Sequence, residues 1–256
     1  MKKYVVLLIS VFLLSCSNDK SIETPKSAKV ALDFEHSWDD TEVTRDDFNT
    51  IQYVNANGDH MSIERLRYLI SEVTFVGEEG EIFVSEGYNL VNLSGGTGLT
   101  YELPINVPYG IYSKVSFTFG FDNENNMNGA YPDLNSVLWN VPEMLGGGYH
   151  YMQLEGKFLD DTDTDTGYQY HAIRAVDNSG ENLVFEDTFF TIDLGTIEIK
   201  GDATLKINMN IAEWFKNPNV WDLNELHSMM MPNFDAQKKI SQNGKNVFSL
   251  ERVMTE

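Results

Sequence analysis

Cysteine is almost absent from this chain: Cys16 is the only one in 256 residues. No intramolecular disulfide can form, so the core must hold the fold unaided. Basic residues are also scarce, 18 Lys and Arg against 39 Asp and Glu, for a formal net charge of −21. A surface of that sign repels phosphate backbones, which excludes nucleic acid as a partner. It would attract cations, although acidity by itself also serves solubility. The motifs of common enzymes are missing too. There is no Gly-x-Ser-x-Gly elbow, no phosphate-cradling glycine loop and no His-Glu-x-x-His helix. With 39 carboxylates, pairs of acidic residues occur everywhere and single out no glycosidase site. The chain therefore reads as a non-enzyme.

The amino terminus reads as an export signal. Lys2 and Lys3 precede an apolar stretch from Tyr4 to Leu14 broken only by Ser10, too short for a bilayer span and suited to a signal peptide. It ends in Leu13-Leu14-Ser15-Cys16, the form of a bacterial lipobox, in which the Cys thiol is acylated and the chain is cut before it. Several acyl chains together anchor a protein stably. The expected organisation is a lipoprotein signal peptide over 1–15, a polar lipidated tether over 16–28 containing Pro25, and one domain over 29–256. The anchor makes the membrane a partner. It places the protein in the cell envelope, on the outer membrane, facing the periplasm or the cell surface.

Beyond the tether the chain is dominated by short alternating runs rich in β-branched and aromatic residues. Val30 to Phe34, Ser113 to Phe119 and Thr204 to Asn210 are the clearest, each bounded by Gly, Asn or Pro. Thr188–Leu194 and Thr196–Lys200 suggest a strand pair across Gly195. Strands at this spacing without alternating helices predict an all-β fold, an antiparallel β-sandwich of Greek-key, immunoglobulin-like type with long loops and one or two short helices. Helix is expected over Phe234–Gln242, stopped by Asn243-Gly244, with a short turn over Asp222–His227. Ser62–Ile70 is open between a turn of helix and a strand running to Phe75. Two long loops stand out, the Asn-rich Asp122–Pro142 and the acidic Asp160–Gly167. The second resembles the start of a calcium loop, but counting from Asp161 the sixth residue is Thr166 and the twelfth Ala172, where a Gly and a Glu are needed. It reads as a solvated acidic hairpin.

Four of the five histidines lie beside aromatic residues or methionine. His36 follows Phe34 and precedes Trp38, His150 sits in Tyr149-His150-Tyr151-Met152, His171 follows Tyr168 and Tyr170, and His227 leads to Met229-Met230-Met231. Imidazole suits copper and thioether sulfur suits Cu(I), so a His/Met cluster in an oxidising compartment would make chemical sense as a copper site. Taken singly, each His is more commonly a hydrogen-bonded structural residue, and a Met run more commonly fills core. His60 reads as a hairpin flank.

The order of segments resembles the MbnP-like family, relatives of the methanobactin-associated periplasmic copper-binding protein. The matching pieces run from Leu32-Asp33-Phe34-Glu35-His36 through Leu66-Arg67-Tyr68-Leu69-Ile70-Ser71-Glu72-Val73 to Phe117-Thr118-Phe119-Gly120-Phe121-Asp122. They continue with Leu138-Trp139, Gly148-Tyr149, Leu154-Glu155-Gly156-Lys157 and Tyr170-His171, and close at Val247-Phe248. Lipobox-bearing members of this kind look typical of Bacteroidetes. The resemblance implies an antiparallel β-sandwich with a mononuclear copper site, Cu+ or Cu2+, built mainly from histidines. Carried over by position, the metal ligands are His36 and His171, then His227 and last His150, with Trp139 as an aromatic near the metal. In the methanobactin-associated relative a dihaem partner enzyme oxidises a tryptophan near copper. This sequence departs there: a second Trp is missing and Asn140–Gly147 intervene before Gly148-Tyr149, so neither the modification nor the partner is carried over.

The function expected is extracytoplasmic copper binding for acquisition or delivery. The competing expectation is a metal-free lipoprotein that binds glycan or protein, with Trp38, Trp139, Trp214 and Trp221 as stacking platforms. Clustered histidines would favour the first, exposed tryptophans the second.

Overall fold

Alternation of apolar and polar residues is carried through almost every long strand of the computed structural model, which describes residues 26–255. The expected signal peptide, Cys16 and most of the tether lie outside the described residues. The strands of the first half are β1 (Ser27–Trp38), β2 (Thr41–Glu42), β3 (Tyr53–Val54), β4 (His60–Met61), β5 (Arg65–Gly77), β6 (Ile82–Asn92), β7 (Thr100–Pro108) and β8 (Gly110–Phe119). Those of the second half are β9 (Met152–Leu159), β10 (Asp165–Ala172), β11 (Ala175–Asp177), β12 (Val184–Glu186), β13 (Phe190–Asp193), β14 (Ile197–Ile199), β15 (Ala203–Asn210) and β16 (Phe248–Thr255). Two short helices interrupt them, α1 (Pro132–Ser136) and α2 (Phe234–Gly244). Among the described residues no helix is long and apolar enough to cross a membrane.

Two sheets form the expected β-sandwich. The first runs β16-β15-β1-β2, with β7 also paired to β1. Along β15, Ala203, Leu205, Ile207 and Met209 point into the core while Thr204, Lys206, Asn208 and Asn210 point out. The outward side chains are matched across strands: Lys206 bridges Asp33 and Glu35, and Arg252 reaches Glu35 at 3.1 Å. One pairing departs from the antiparallel expectation. β1 and β15 run parallel, Val30 opposite Ala203 through Ser37 opposite Asn210. Parallel neighbours need a long crossover, and here nearly the whole domain lies between them.

The second sheet is organised by β5. β6 occupies one of its edges, while the other is shared by β9 over Arg65–Tyr68 and β8 over Ile70–Gly77. At the fork the Leu69 amide donates to the Tyr151 carbonyl at 2.8 Å and the Leu69 carbonyl accepts from Gly120 N at 2.8 Å. Gly120, at φ +86°, lies so close to the Tyr151 ring that a Cβ would fall 2.5 Å from it. The segment open between helix and strand is therefore strand.

β13 and β14 are the two strands expected on either side of Gly195, but they do not pair with each other. Both pair with β8, Phe190 opposite Phe119 and Ile197 opposite Tyr112, in one antiparallel run interrupted at residues 194–196. Leu194 and Gly195 keep two hydrogen bonds to Val115 through the interruption, so the chain continues along β8 and never turns back on itself.

The acidic loop closes the β9–β10 hairpin. Asp160 accepts hydrogen bonds from Thr162 N, Thr164 N and the Thr162 and Thr166 hydroxyls, all within 3.0 Å. The hydroxyl of Thr162 and the amides of Thr164 and Thr162 hold its carboxyl well below the usual range. The other long loop is pinned by tyrosines: Tyr131 N donates to Tyr149 Oη, Tyr149 Oη donates to Asn135, and Tyr149 N donates to Asn126 Oδ1, each at 2.8 Å.

Candidate metal centre

Three strands of the second sheet deliver a polar strip to its outer face. Residues directly opposite in antiparallel strands share a face, and the registers align Arg67, Gln153 and His171 on one rung and Arg65, Glu155 and Gln169 on the next. Their neighbours Leu66, Tyr68, Leu154, Tyr168 and Tyr170 point the other way, into the core. An outer face is ordinarily wet, yet Gln153 and His171 are buried. Two segments cover them, the stretch after α1 that carries Trp139 and His150, and the Met run before α2.

Gln237 of α2 fastens the second cover. Its side-chain amide donates to the His171 carbonyl at 2.8 Å and to the Met230 carbonyl at 3.0 Å, and its Oε1 accepts from Ile173 N at 2.8 Å. The Met run is thereby laid along β10, where the His227 carbonyl also accepts from Gln169 N at 2.7 Å. Met230 enters the core, Met229 is exposed and Met231 turns to His150.

His150 has two well-defined contacts. Its Nδ1 lies 2.9 Å from the Trp139 carbonyl and its Nε2 lies 3.2 Å from the Met231 sulfur. A carbonyl only accepts, so Nδ1 carries the proton. Burial pushes the pKa down to about 4, with a smaller opposing pull from the Trp139 carbonyl, so the ring is neutral at ordinary pH. Nε2 then holds a lone pair, and it faces a thioether that has no proton to offer. The His171 ring meets the His150 ring edge-on, centroids 5.3 Å apart. Its Nε2 is 2.8 Å from Glu155 Oε1, and Glu155 is also held by Arg65 Nη1 at 2.9 Å. The Arg67 guanidinium stacks 5.0 Å over Trp139, bonded to Gln153, and the buried Trp139 Nε1 has no partner among the described residues.

The structure thus brings His150, His171 and Trp139 together with Met231. It does not bring His36 or His227 there. His36 sits on the inner face of β1, with Nε2 3.1 Å from the Tyr68 hydroxyl. Tyr68 points into the core from the same sheet whose outer face carries His171, so that sheet separates the two histidines. His227 packs its ring on Phe158 at 5.7 Å and turns its Nδ1 to the Leu223 carbonyl, away along the β9–β10 hairpin. The order of preference drawn from position thus differs from the arrangement in space: the histidine placed last is the one beside His171. Met231 belongs to the Met run that the sequence singles out, whereas Glu155, Arg65 and Arg67 carry no weight there as site residues. Only the strand register, Arg65 against Glu155 and Arg67 against Gln153, exposes those three.

Among the described residues, no group of three or more His, Cys, Asp or Glu side chains is placed to hold a metal ion. A closed zinc site of the usual ligands is therefore not present there. The donor set that does converge is nitrogen and thioether sulfur, which suits a soft ion and not a hard one. All four tryptophans are buried, so none offers a ring to a sugar.

A mostly antiparallel β-sandwich with a part-buried His/Met contact over the outer face of one sheet defines the class. The family model described as MbnP matches residues 27–231. The chain belongs to the MbnP family. Among solved structures it is similar to MbnP from Methylosinus trichosporium, at 13% identity and TM-score 0.52, covering 76% of this chain and 80% of that one; at that identity the likeness speaks for the fold. No curated protein matches the chain.

Proposed function

We propose that this chain is a lipid-anchored, extracytoplasmic protein that binds one copper ion as cargo, for acquisition or delivery. The observation that carries the reading is the His150–Met231 contact, an imidazole lone pair facing a thioether lone pair at 3.2 Å. Two lone pairs at that distance gain nothing from each other, and a soft cation gives both a partner. Bond lengths of about 2.0 Å to nitrogen and 2.3 Å to sulfur, those found for zinc, let one ion reach both donors. Two neutral donors, one of them thioether, favour Cu(I) over divalent ions. His171 stands beside them as the third donor.

Membership of the MbnP family supports a copper-related role outside the cytoplasm, and the lipobox at Cys16 supports attachment to the membrane. The acidic surface concentrates cations near the site without choosing among them. No bond-making step belongs to this reading.

The test is anaerobic Cu(I) titration against a competing chelator, with metal analysis after dialysis. The wild-type chain is expected to retain about one ion, and His150→Ala to lose it. Wild-type protein that retains no copper, or a His150→Ala variant that retains it unchanged, would overturn the reading.

A further inference from the structure

Glu155 is shared between two partners of unlike charge. Arg65 Nη1 lies 2.9 Å from each of its oxygens, and His171 Nε2 lies 2.8 Å from Oε1. The pair with Arg65 sits at the rim, with that side chain about half exposed, while the His171 side chain is 11% exposed. The Arg65 guanidinium is always charged, and its contact with both carboxylate oxygens favours the ionised form of Glu155. Glu155 is thus ionised, and an ionised carboxylate only accepts hydrogen bonds. The hydrogen between it and His171 belongs to Nε2.

In its neutral form, the form that can ligate a metal, an imidazole has one N–H. With the proton on Nε2, the lone pair of His171 is on Nδ1, and Nδ1 has no hydrogen-bond partner among the described residues. His150 shows the reverse. There the Trp139 carbonyl takes the Nδ1 proton and leaves Nε2 free. Two rings in edge-on contact are therefore held in opposite tautomers by two different acceptors, a main-chain carbonyl and a carboxylate. The carbonyl is part of the fold and always present. The carboxylate is a side chain, kept charged and oriented by Arg65 from the neighbouring strand.

We infer that Glu155 is a positioning residue, which with Arg65 fixes His171 as its Nε2–H tautomer and so reserves Nδ1 for the ion. The second half rests on the copper reading above; the first half does not. Partners of this kind set the orientation and basicity of a histidine ligand, and their removal typically weakens metal binding by about 10–100-fold. The arrangement also explains why β5 spends two outward positions on arginine. Arg67 is engaged with Gln153 and the Trp139 ring, leaving Arg65 as the counter-ion of Glu155.

The test has two readouts on the full chain in mild detergent, for wild type and Glu155→Gln. Glutamine keeps the shape but can both donate and accept, so it no longer dictates which His171 nitrogen bears the proton. The first readout is nitrogen-15 NMR of labelled histidines in metal-free protein at pH 8. Wild-type His171 is expected in the Nε2–H form, and the variant in a mixture. The second is Cu(I) competition titration, with an expected loss of about 10–100-fold in the variant and a thermal midpoint close to wild type. An Nδ1–H tautomer in the wild type, or unchanged tautomer populations in the variant, overturns the inference whatever the metal does. Unchanged Cu(I) affinity with altered tautomers overturns the ligand half and leaves the copper reading standing. Absence of Cu(I) binding by wild type overturns the copper reading and the ligand half together, while the tautomer result still decides the first half.

Discussion

The Nε2 of His150 points at the Met231 sulfur across 3.2 Å with no hydrogen between them, because the Trp139 carbonyl holds the ring's one proton on Nδ1. A thioether can be replaced by an alkyl chain of similar volume at little cost to packing, since Leu for Met usually changes stability by less than about 1.5 kcal/mol. Met231→Leu should therefore fold like wild type and lose Cu(I) affinity by at least about tenfold, the loss of one donor bond from a small set. Chelator competition and a thermal melt on the same samples separate the two effects. Equal affinity in the variant would show that the sulfur is packing and not ligand.

His36 makes the opposite prediction. It stands first among the ligands implied by family resemblance, yet its partner is the Tyr68 hydroxyl in the core, on the far side of the sheet from His171. His36→Ala opens a cavity and strands a buried hydroxyl, at about 1–3 kcal/mol for the lost partner alone. The expected result is a lower denaturant midpoint with Cu(I) affinity unchanged. Loss of copper in a variant that remains as stable as wild type would move the site to the inner face.

The difference between these two histidines marks what the sequence could reveal. Strand identity and the inward or outward sense of each residue follow from period-two alternation, which is local, so β1, β8 and β15 were legible. Parity along a single strand even places Lys206 outside and Ile207 inside. What alternation cannot supply is which strand lies beside which. The rung that joins Arg65 to Glu155, the parallel pairing of β1 with β15, and the end-to-end placing of β13 and β14 on β8 depend on partners far away in sequence. Met231 is the extreme case: its role is set by Gln237 bonding the His171 and Met230 carbonyls, a tertiary link with no local signature.

That link gives a third prediction. Gln237 is fully buried, and its amide satisfies three main-chain groups at once. Gln237→Leu keeps the volume but strands the Ile173 amide and the His171 carbonyl, at about 1–3 kcal/mol each, while the Met230 carbonyl keeps only its bond from Asn233 N. Stability should fall by at least about 2 kcal/mol in denaturant unfolding. Because the Met run is released from β10, hydrogen exchange should rise around residues 228–232 more than in β1 or β15. A uniform rise across the domain would mean that Gln237 supports the core generally and does not hold the Met run in particular.

Stability should also depend on pH through two of the buried imidazoles, His36 and His150. Burial lowers the pKa of His36 and of His150 from 6.5 to about 4. Between those values the unfolded chain binds protons that the folded chain refuses, so stability falls with falling pH. The contribution is fully present above about pH 6.5 and is lost progressively down to about pH 4, at up to about 1.4 kcal/mol per pH unit for each histidine. Urea unfolding of metal-free protein at half-unit steps from pH 7 to 4 should show this slope. His36→Phe, which removes one of the two groups while keeping an apolar ring against Tyr68, should roughly halve the part of the slope that His36 and His150 contribute. A slope unchanged by that substitution would mean that His36 is free to take up a proton in the folded state, which its buried contact with Tyr68 is expected to prevent.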